Sequence, residues 1–260
     1  MITVDNLYKS FNGVAVLKGI SVTFEKGKTN LIIGRSGSGK TVLVKCLVGL
    51  HEVDKGRIMY DNRNFVDMNF NSRKEIRREI GMLFQGGALF DSLTVEENVM
   101  FPLNMFTEMT LSEKLEHTNL CLKRVDLINV NKLYPGEISG GMKKRVAIAR
   151  AIVENPKYLF CDEPNSGLDP KTALVIDDLI SEITHEYNIT TVINTHDMNS
   201  VMEIGEKVIF IHEGHKSWEG TREEILDSDD ENLNDFVFAS NFAKKIKALT
   251  TGENQSFTSS

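Results

Sequence analysis

The 260-residue sequence predicts an α/β fold with a largely parallel central sheet. Short apolar runs typical of strands alternate with helical stretches along most of the chain. One of these runs leads directly into a glycine-rich loop that precedes a plausible helix. The strand-like runs are Ile2 to Val4, Ile20 to Phe24, Thr29 to Ile33, Ile58 to Tyr60, Gly81 to Phe84, Tyr158 to Cys161, Thr190 to Asn194 and Lys207 to Ile211.

The first strands differ from the rest in their connections. Turn signals at Asn12-Gly13 and Lys26-Gly27 favour a small antiparallel β patch ahead of the parallel sheet. Strand-like runs then become sparse between Gln85 and Gly136, and Leu111 to Val125 has helical character. We therefore expect an inserted helical subdomain at about residues 86 to 150 within a domain of residues 1 to 225. Residues 226 to 260 are expected to form a C-terminal extension, a helix followed by a disordered tail.

The glycine-rich loop fits the pattern G-x-x-x-x-G-K-[ST] and is expected to bind a nucleoside triphosphate. Glycines let backbone N–H groups point at phosphate oxygens, and the following helix presents the positive end of its dipole. Lys40 would reach the β- and γ-phosphates, and the Thr41 hydroxyl would bind Mg²⁺. The expected nucleotide-binding residues here are Gly34, Arg35, Ser36, Gly37, Ser38, Gly39, Lys40, Thr41 and Val42.

A second candidate element is the apolar strand Tyr158 to Cys161, which runs into the carboxylates Asp162 and Glu163. Two adjacent charges at the end of a buried strand are costly unless a positive group lies nearby. Mg²⁺ would supply that charge, with Asp162 holding it through water and Glu163 orienting or deprotonating the attacking water. Taken alone, this segment would better fit a strand that runs into an acidic turn at Pro164, but the upstream glycine-rich loop favours the catalytic interpretation.

The third element is Ile138 to Arg145, in which Ser139 is a suitable N-cap for the helix that follows. This segment resembles the signature motif of ATP-binding cassette (ABC) ATPases. The order of loop, Gln85, signature, Asp162-Glu163 and His196 is similar to that family over about residues 1 to 225. The resemblance implies the P-loop NTPase fold, ATP and Mg²⁺ as cofactors, and a head-to-tail dimer with a second copy. Ser139 and Gly141 would then clamp the γ-phosphate held by the partner copy.

The same resemblance implies roles for four further residues. Phe11 corresponds to the aromatic side chain that stacks on adenine. Gln85 corresponds to the glutamine that senses Mg²⁺ and the attacking water, while its loop touches a transmembrane permease subunit. Asp169 corresponds to a loop that communicates across the dimer, and His196 to the histidine that hydrogen-bonds the γ-phosphate. The expected catalytic residues are thus Glu163, His196 and Gln85, and the expected Mg²⁺ site comprises Thr41, Gln85 and Asp162.

Two features depart from the commonest cassette pattern. Met142 stands where the signature usually has Gln, so we expect weaker or retuned coupling rather than a dead site. Small residues at 86 to 88 would open a shallow groove suited to a helix of another protein. Both features resemble the ATPase subunits of Mla-type phospholipid-trafficking systems, which work with MCE lipid-binding proteins. This implies an MCE protein and a small accessory protein as further partners, and lipid trafficking between inner and outer membranes as the function.

The composition of the chain limits which partners and which cellular location are compatible with the sequence. Thirty basic and 37 acidic residues give a formal net charge of −7, which provides no general affinity for nucleic acid. No apolar run approaches the roughly 18 to 20 residues that span a bilayer. The three cysteines, Cys46, Cys121 and Cys161, have no metal-ligand spacing and suggest a reduced compartment. Together with these observations, the resemblance implies a peripheral protein on the cytoplasmic face of the inner membrane.

Three alternatives remain open from the sequence. The chain could be the ATPase subunit of a transporter for a small polar solute, a soluble ABC protein acting on ribosomes or DNA, or a non-catalytic nucleotide-binding regulator. The C-terminal extension also allows two interpretations. Phe238, Phe242, Ile246 and Leu249 form one apolar stripe, which would pack on its own domain or reach to the partner ATPase or an accessory protein.

Overall fold

The computed structural model describes residues 1–238. The strands of this part are β1 (Ile2–Phe11), β2 (Val14–Phe24), β3 (Thr29–Ile33), β4 (Lys55–Tyr60), β5 (Arg63–Asn64), β6 (Ile80–Leu83), β7 (Tyr158–Asp162), β8 (Thr190–Asn194), β9 (Lys207–His212) and β10 (His215–Gly220). The α-helices are α1 (Lys40–Leu47), α2 (Phe70–Arg78), α3 (Val95–Phe106), α4 (Leu111–Arg124), α5 (Gly140–Ile152), α6 (Pro170–Glu186), α7 (Met198–Ile204) and α8 (Glu231–Val237). None of the helices within residues 1–238 is long and apolar enough to cross a bilayer.

The larger sheet has the strand order β10-β9-β3-β8-β7-β6. Its strands pair in parallel from β9 to β6, and β10 adds an antiparallel edge. Every residue of β3 is buried, with Leu31 and Ile33 in one core cluster and Ile32 in the other. Burial on both faces is typical of a parallel sheet covered by helices, so the predicted α/β fold is confirmed.

The smaller sheet, in the order β2-β1-β4-β5, is the antiparallel patch that the turn signals predict. Asn12 and Gly13 have φ angles of 49° and 81°, the left-handed conformation that a tight hairpin turn requires. Strands β1 and β2 are longer than the sequence predicts. Register shifts after Val4 and after Leu7 interrupt the alternation of buried and exposed residues, which hides the strands from a periodicity argument.

Helices α3, α4 and α5 pack together beside strand β6. Thr94 and Thr110 begin α3 and α4 with capping boxes, closed by Glu97 and Glu113. Helix α4 ends one residue before the predicted end at Val125. The N-cap role of Ser139 is confirmed, because its Oγ accepts a hydrogen bond from Met142 N at 3.2 Å.

Helix α8 packs against strand β10 of its own chain. Its N-cap Asp230 accepts a hydrogen bond from Leu233 N at 2.7 Å and another from the Ser217 hydroxyl, on β10, at 2.6 Å. Leu233 and Phe238 are buried. The remaining members of the predicted apolar stripe, Phe242, Ile246 and Leu249, lie outside the described residues.

Candidate active site

The glycine-rich loop connects β3 to α1 at the carboxyl edge of the parallel sheet. Gly37 and Gly39 have φ angles of 80° and 108°, which favour glycine and turn the chain sharply into α1. Lys40 is the first residue of that helix and only 7% exposed. Its Nζ donates to the carbonyl oxygens of Gly34 at 2.8 Å and Arg35 at 3.2 Å, so the ammonium group is held over the loop.

The loop opens into a cavity of about 700 Å³. Its wall combines loop residues with polar residues from the ends of β6 and β7 and from the connection after β8. The lining residues are Val16, Gly34, Arg35, Ser36, Gly37, Gly39, Lys40, Thr41, Val42, Gln85, Asp162, Glu163, His196 and Phe236. The structure therefore brings the loop, Gln85, both carboxylates and His196 together, as their order in the sequence predicts.

Thr41 and Asp162 meet through a third side chain, Asn194. Asp162 ends β7 and Asn194 ends β8, and the two residues are paired in parallel register. The Asn194 Nδ2 donates to Asp162 Oδ1 at 2.5 Å and to Thr41 Oγ1 at 3.2 Å. A hydroxyl and a carboxylate oxygen beside a phosphate-binding loop suit Mg²⁺, which prefers oxygen ligands and is commonly completed by substrate phosphates and water. Among residues 1–238, no group of three or more His, Cys, Asp or Glu is placed to hold a metal ion.

Glu163 directly follows β7 and lines the cavity. Its backbone is in the left-handed region, with φ 49°, and its N–H donates to Asn194 O at 2.9 Å. A non-glycine residue rarely adopts this conformation, which is found preferentially at functional sites. The Oε1 atom of Glu163 lies 2.8 Å from Nδ1 of the exposed His196.

Burial and charge act in opposite directions on Lys40. Loss of water lowers the pKa of its ammonium group, while Glu163 and Asp162 raise it. The cavity therefore contains a partly desolvated cation opposite two carboxylates, a distribution that can bind a polyanionic phosphate on one side and Mg²⁺ on the other.

The loop that follows β6 is held by two cations that the sequence analysis did not single out. Lys144 donates through Nζ to the carbonyl oxygen of Gln85. Arg150 donates to the carbonyl oxygens of Gly87 at 2.6 Å and Ala88 at 2.8 Å. Both cations belong to α5. Arg150 interrupts the apolar run Val146 to Ile152, which was an available sequence signal, whereas Lys144 lies in the basic run Lys143 to Arg145 and had no comparable signal.

Two predicted binding residues do not line the cavity. Phe11 is 38% exposed, and its ring meets the His51 ring edge-on at 5.1 Å. Lys9 Nζ lies 5.1 Å from the centroid of the Phe11 ring.

Ser38 is buried in the loop, with no hydrogen-bond partner for its Oγ within the described part of the chain. The cavity wall instead includes Phe236 of α8, which packs on Phe210 with ring centroids 5.5 Å apart. No local sequence pattern indicated this contact.

Ser139, Gly141 and Asp169 also lie outside this cavity. Gly141 packs so closely on α6 that a Cβ atom there would lie 2.8 Å from Thr172 Cγ2. The Thr172 hydroxyl donates to Asp169 Oδ2 at 2.5 Å, and this bond keeps the pKa of Asp169 below its usual value. The signature and the Asp169 loop are thus neighbours, forming a second polar surface apart from the cavity.

Comparisons with known proteins agree with this geometry. Residues 17–166 match the family model described as ABC transporter. A methionine import ATP-binding protein of Campylobacter jejuni is 36% identical over 258 residues, covering 93% of this chain and 77% of the relative. A probable ribonucleotide transport ATP-binding protein of Mycobacterium tuberculosis is 36% identical over 236 residues, covering 91% and 66%, respectively.

A solved structure provides a link to nucleotide chemistry. It is a dimeric, post-hydrolysis state of the ATP-binding cassette MJ0796 bound to ADP and Pi, with 31% identity and a TM-score of 0.78. The match covers 85% of this chain and 99% of that chain. Together with the loop, the carboxylates and the histidine around one cavity, these similarities identify the family: the chain belongs to the ABC transporter family and is a Mg²⁺-dependent ATPase that binds ATP.

Proposed function

We propose that the cavity at the glycine-rich loop is the site of ATP hydrolysis and that the chain is the motor subunit of a phospholipid transporter. The observation that carries the site assignment is the Glu163–His196 contact of 2.8 Å, in the same cavity as Lys40. A carboxylate, a histidine and a phosphate-binding lysine that face one cavity suit an in-line attack of water on a γ-phosphate.

In this mechanism each side chain has a defined task. The loop N–H groups and Lys40 bind the β- and γ-phosphates, which Lys40 reaches when its Nζ exchanges a carbonyl partner for a phosphate oxygen. Thr41, Asp162 and Gln85 would hold Mg²⁺, which when bound neutralises the charge that develops on the phosphate oxygens. Glu163 accepts the proton of the attacking water, and His196 orients the Glu163 carboxylate and hydrogen-bonds the γ-phosphate.

A second copy of the chain would complete the site. Ser139, Gly141 and Asp169 do not line the cavity of their own chain, yet they adjoin one another at the start of α5 and α6. A head-to-tail dimer would bring this surface to the γ-phosphate of the partner copy, with the Ser139 hydroxyl and the N-terminus of α5 facing the anion. The solved dimer of a cassette with similar sequence supports this arrangement.

Phe11 remains our candidate for the adenine contact. Its ring is 38% exposed although it meets His51 and Lys9, so part of its surface is accessible to a base. Replacing Phe11 with Ala should weaken ATP binding, while inorganic tripolyphosphate should bind the variant and the parent equally well. Equal loss for both ligands would contradict a base contact.

The phospholipid assignment depends on the segment 84–90 and on Met142. Phe84 and Phe90 are 41% and 43% exposed on either side of Gly86 and Ala88, and a Cβ at Gly86 would meet nothing within 4 Å. This surface, which we call the loop surface, has room for a helix of a permease subunit at the cytoplasmic face of an inner membrane. It resembles the corresponding segment of Mla-type ATPases, which implies an MCE lipid-binding protein and a small accessory protein as further partners.

Import of a small solute is the second candidate, because relatives such as the Campylobacter protein are named for methionine import. Purification of the intact complex from its native membrane distinguishes the two. An MCE-type protein and bound phospholipid in the complex would support lipid transport. A solute-binding protein in their place would contradict it and support import.

The site assignment has its own test. Lys40→Ala should lose most of its affinity for ATP, because the phosphates lose their main side-chain counter-charge. Lys45→Ala, on the same helix and away from the cavity wall, is the matched control and should bind ATP like the parent. Unchanged ATP binding by Lys40→Ala would overturn the assignment of the cavity.

A further inference from the structure

Lys144 is a buried lysine that has no task in the hydrolytic mechanism described above. It lies on α5, is 6% exposed, and donates to the carbonyl oxygen of Gln85. Its Nζ also lies 3.5 Å from the carbonyl oxygen of Glu163. Within residues 1–238, Lys144 forms no ion pair with Asp or Glu, and the Glu163 carboxylate lies against His196.

Such a lysine is costly to bury. Removing an ammonium group from water costs several kcal/mol unless a counter-charge or several hydrogen bonds compensate for it. Consistently, burial lowers the pKa of Lys144. An apolar side chain of similar length would fill the same space at a lower cost, so packing alone does not explain a lysine here. What the ammonium group adds is a hydrogen-bond link between two backbone segments.

Both linked segments belong to the cavity. Gln85 and Glu163 contribute side chains to its wall, and their carbonyl oxygens point away from it toward α5. Glu163 has the left-handed φ of 49°, a conformation that needs support from its surroundings. Lys144 therefore contacts the backbone of both Gln85 and Glu163, the two residues that would position the attacking water.

Helix α5 also reaches the signature surface. It begins after Ser139, and Val146, Ala147 and Ile148 are buried in the core, so the helix is anchored as a rigid unit. A displacement at Ser139 would move Lys144, one and a half turns further along the helix. This connects the surface that would contact the partner's nucleotide with the chain's own Gln85 and Glu163.

We propose that Lys144 is a positioning residue that holds Gln85 and Glu163 in their catalytic arrangement and couples it to engagement of the signature by the second copy. This inference rests on the proposed hydrolytic site. Removing the ammonium group should leave the phosphate-binding loop intact, while Gln85 and Glu163 lose their alignment. Turnover should fall and ATP affinity should not.

The test compares Lys144→Met, Lys144→Arg and Lys123→Met in the 260-residue chain. We expect Lys144→Met to lower kcat by about 10- to 100-fold, as misplacement of catalytic groups does, with the Kd for ATP unchanged within about 2-fold. Lys144→Arg should retain most of the parent's turnover, because arginine keeps a cationic hydrogen-bond donor at this buried position. Lys123→Met, at an exposed lysine of α4, should behave like the parent. Hydrogen exchange of amides 85 to 88 should be faster in Lys144→Met alone.

Three results would overturn the inference. The first is parent-like turnover and exchange in Lys144→Met. The second is a parallel loss of ATP affinity, turnover and melting temperature, which would indicate a merely structural role. The third, relevant if Lys144→Met does not fold, is a well-folded Lys144→Gln, which lacks the ammonium group, with parent kinetics and no change in cooperativity toward ATP. A parent chain without Lys40-dependent ATP binding would instead refute the site assignment itself.

Discussion

Nδ1 of His196 lies 2.8 Å from Oε1 of Glu163, although the two residues are 33 positions apart in the sequence. The contact joins the end of β7 to the connection after β8, two strands that pair in parallel. The imidazole is exposed, whereas the Glu163 side chain is only 15% exposed. A largely buried carboxylate beside an exposed imidazole fits the proposed mechanism, in which Glu163 accepts a proton from water and His196 orients the Glu163 carboxylate.

Replacing Glu163 with Gln should remove the base without removing the nucleotide site. We expect turnover to fall by about 10²- to 10⁴-fold, the usual contribution of a general base, with ATP affinity unchanged and an ATP-bound dimer accumulating. Steady-state hydrolysis, equilibrium binding and size-exclusion chromatography with ATP would measure the three effects. Glu116→Gln, an exposed carboxylate on α4, is the control. Full turnover by Glu163→Gln would refute the base assignment.

Replacing Ala88 with Glu should uncouple the chain from its permease. Ala88 is exposed on the loop surface, and Arg150 binds its carbonyl oxygen rather than its side chain, so the backbone contact survives. A charge in an apolar docking surface leaves an unpaired carboxylate buried on binding. Membrane recruitment should decrease while the Kd for ATP stays constant. Leu120→Glu, which places the same charge at an exposed apolar residue of α4, should recruit normally. Normal recruitment of Ala88→Glu would show that the permease docks elsewhere.

Asp177 should make the stability of the chain depend on pH. It is 1% exposed on α6, and burial, with help from Asp197 and Asp178, raises its pKa from 3.8 to about 6. The folded state therefore binds this proton more tightly than the unfolded state. The resulting stabilisation is complete below about pH 4 and is lost as the pH rises through 6.

Asp177→Asn should accordingly be more stable than the parent at pH 7.5, by on the order of 1 to 3 kcal/mol, and should lose this advantage toward pH 4. Urea unfolding at several pH values measures the difference in unfolding free energy. Asp178→Asn, the exposed neighbour, should follow the parent throughout. A pH-independent difference between Asp177→Asn and the parent would mean that the carboxyl group does not titrate as described.

Removal of helix α8 should lower the melting temperature. Leu233 and Phe238 are buried in cis, and Asp230 is hydrogen-bonded to Ser217 of β10. Truncation after Ile225 exposes the apolar surface that these residues cover, and a loss of about 2 kcal/mol would lower the melting temperature by several degrees. Truncation after Phe238 keeps α8 and isolates the effect of residues 239–260. If the first truncation melts normally but fails to self-associate, the extension acts between copies instead.

Local sequence patterns predict most of the fold. The apolar run before Gly34 and the turn at Asn12-Gly13 encode their structures through neighbours a few residues away, so the parallel sheet and the antiparallel patch follow from the sequence. Strand β10 could not be predicted in this way, because its residues alternate between exposed and half-buried and include the polar residues His215, Lys216 and Glu219. It is stabilised by pairing with β9 rather than by its own propensity.

The sequence by itself determined which groups could act on a nucleotide: the loop with Lys40, the carboxylates Asp162 and Glu163, and a histidine after a strand. Only the tertiary structure decided how they are held. Asn194 joins Thr41 to Asp162, and Lys144 supports Gln85 and Glu163, because the parallel sheet brings the carboxyl ends of distant strands to one edge. Contacts of this kind depend on strand order and helix placement, and no local pattern encodes those, since the partners are separated by tens of residues.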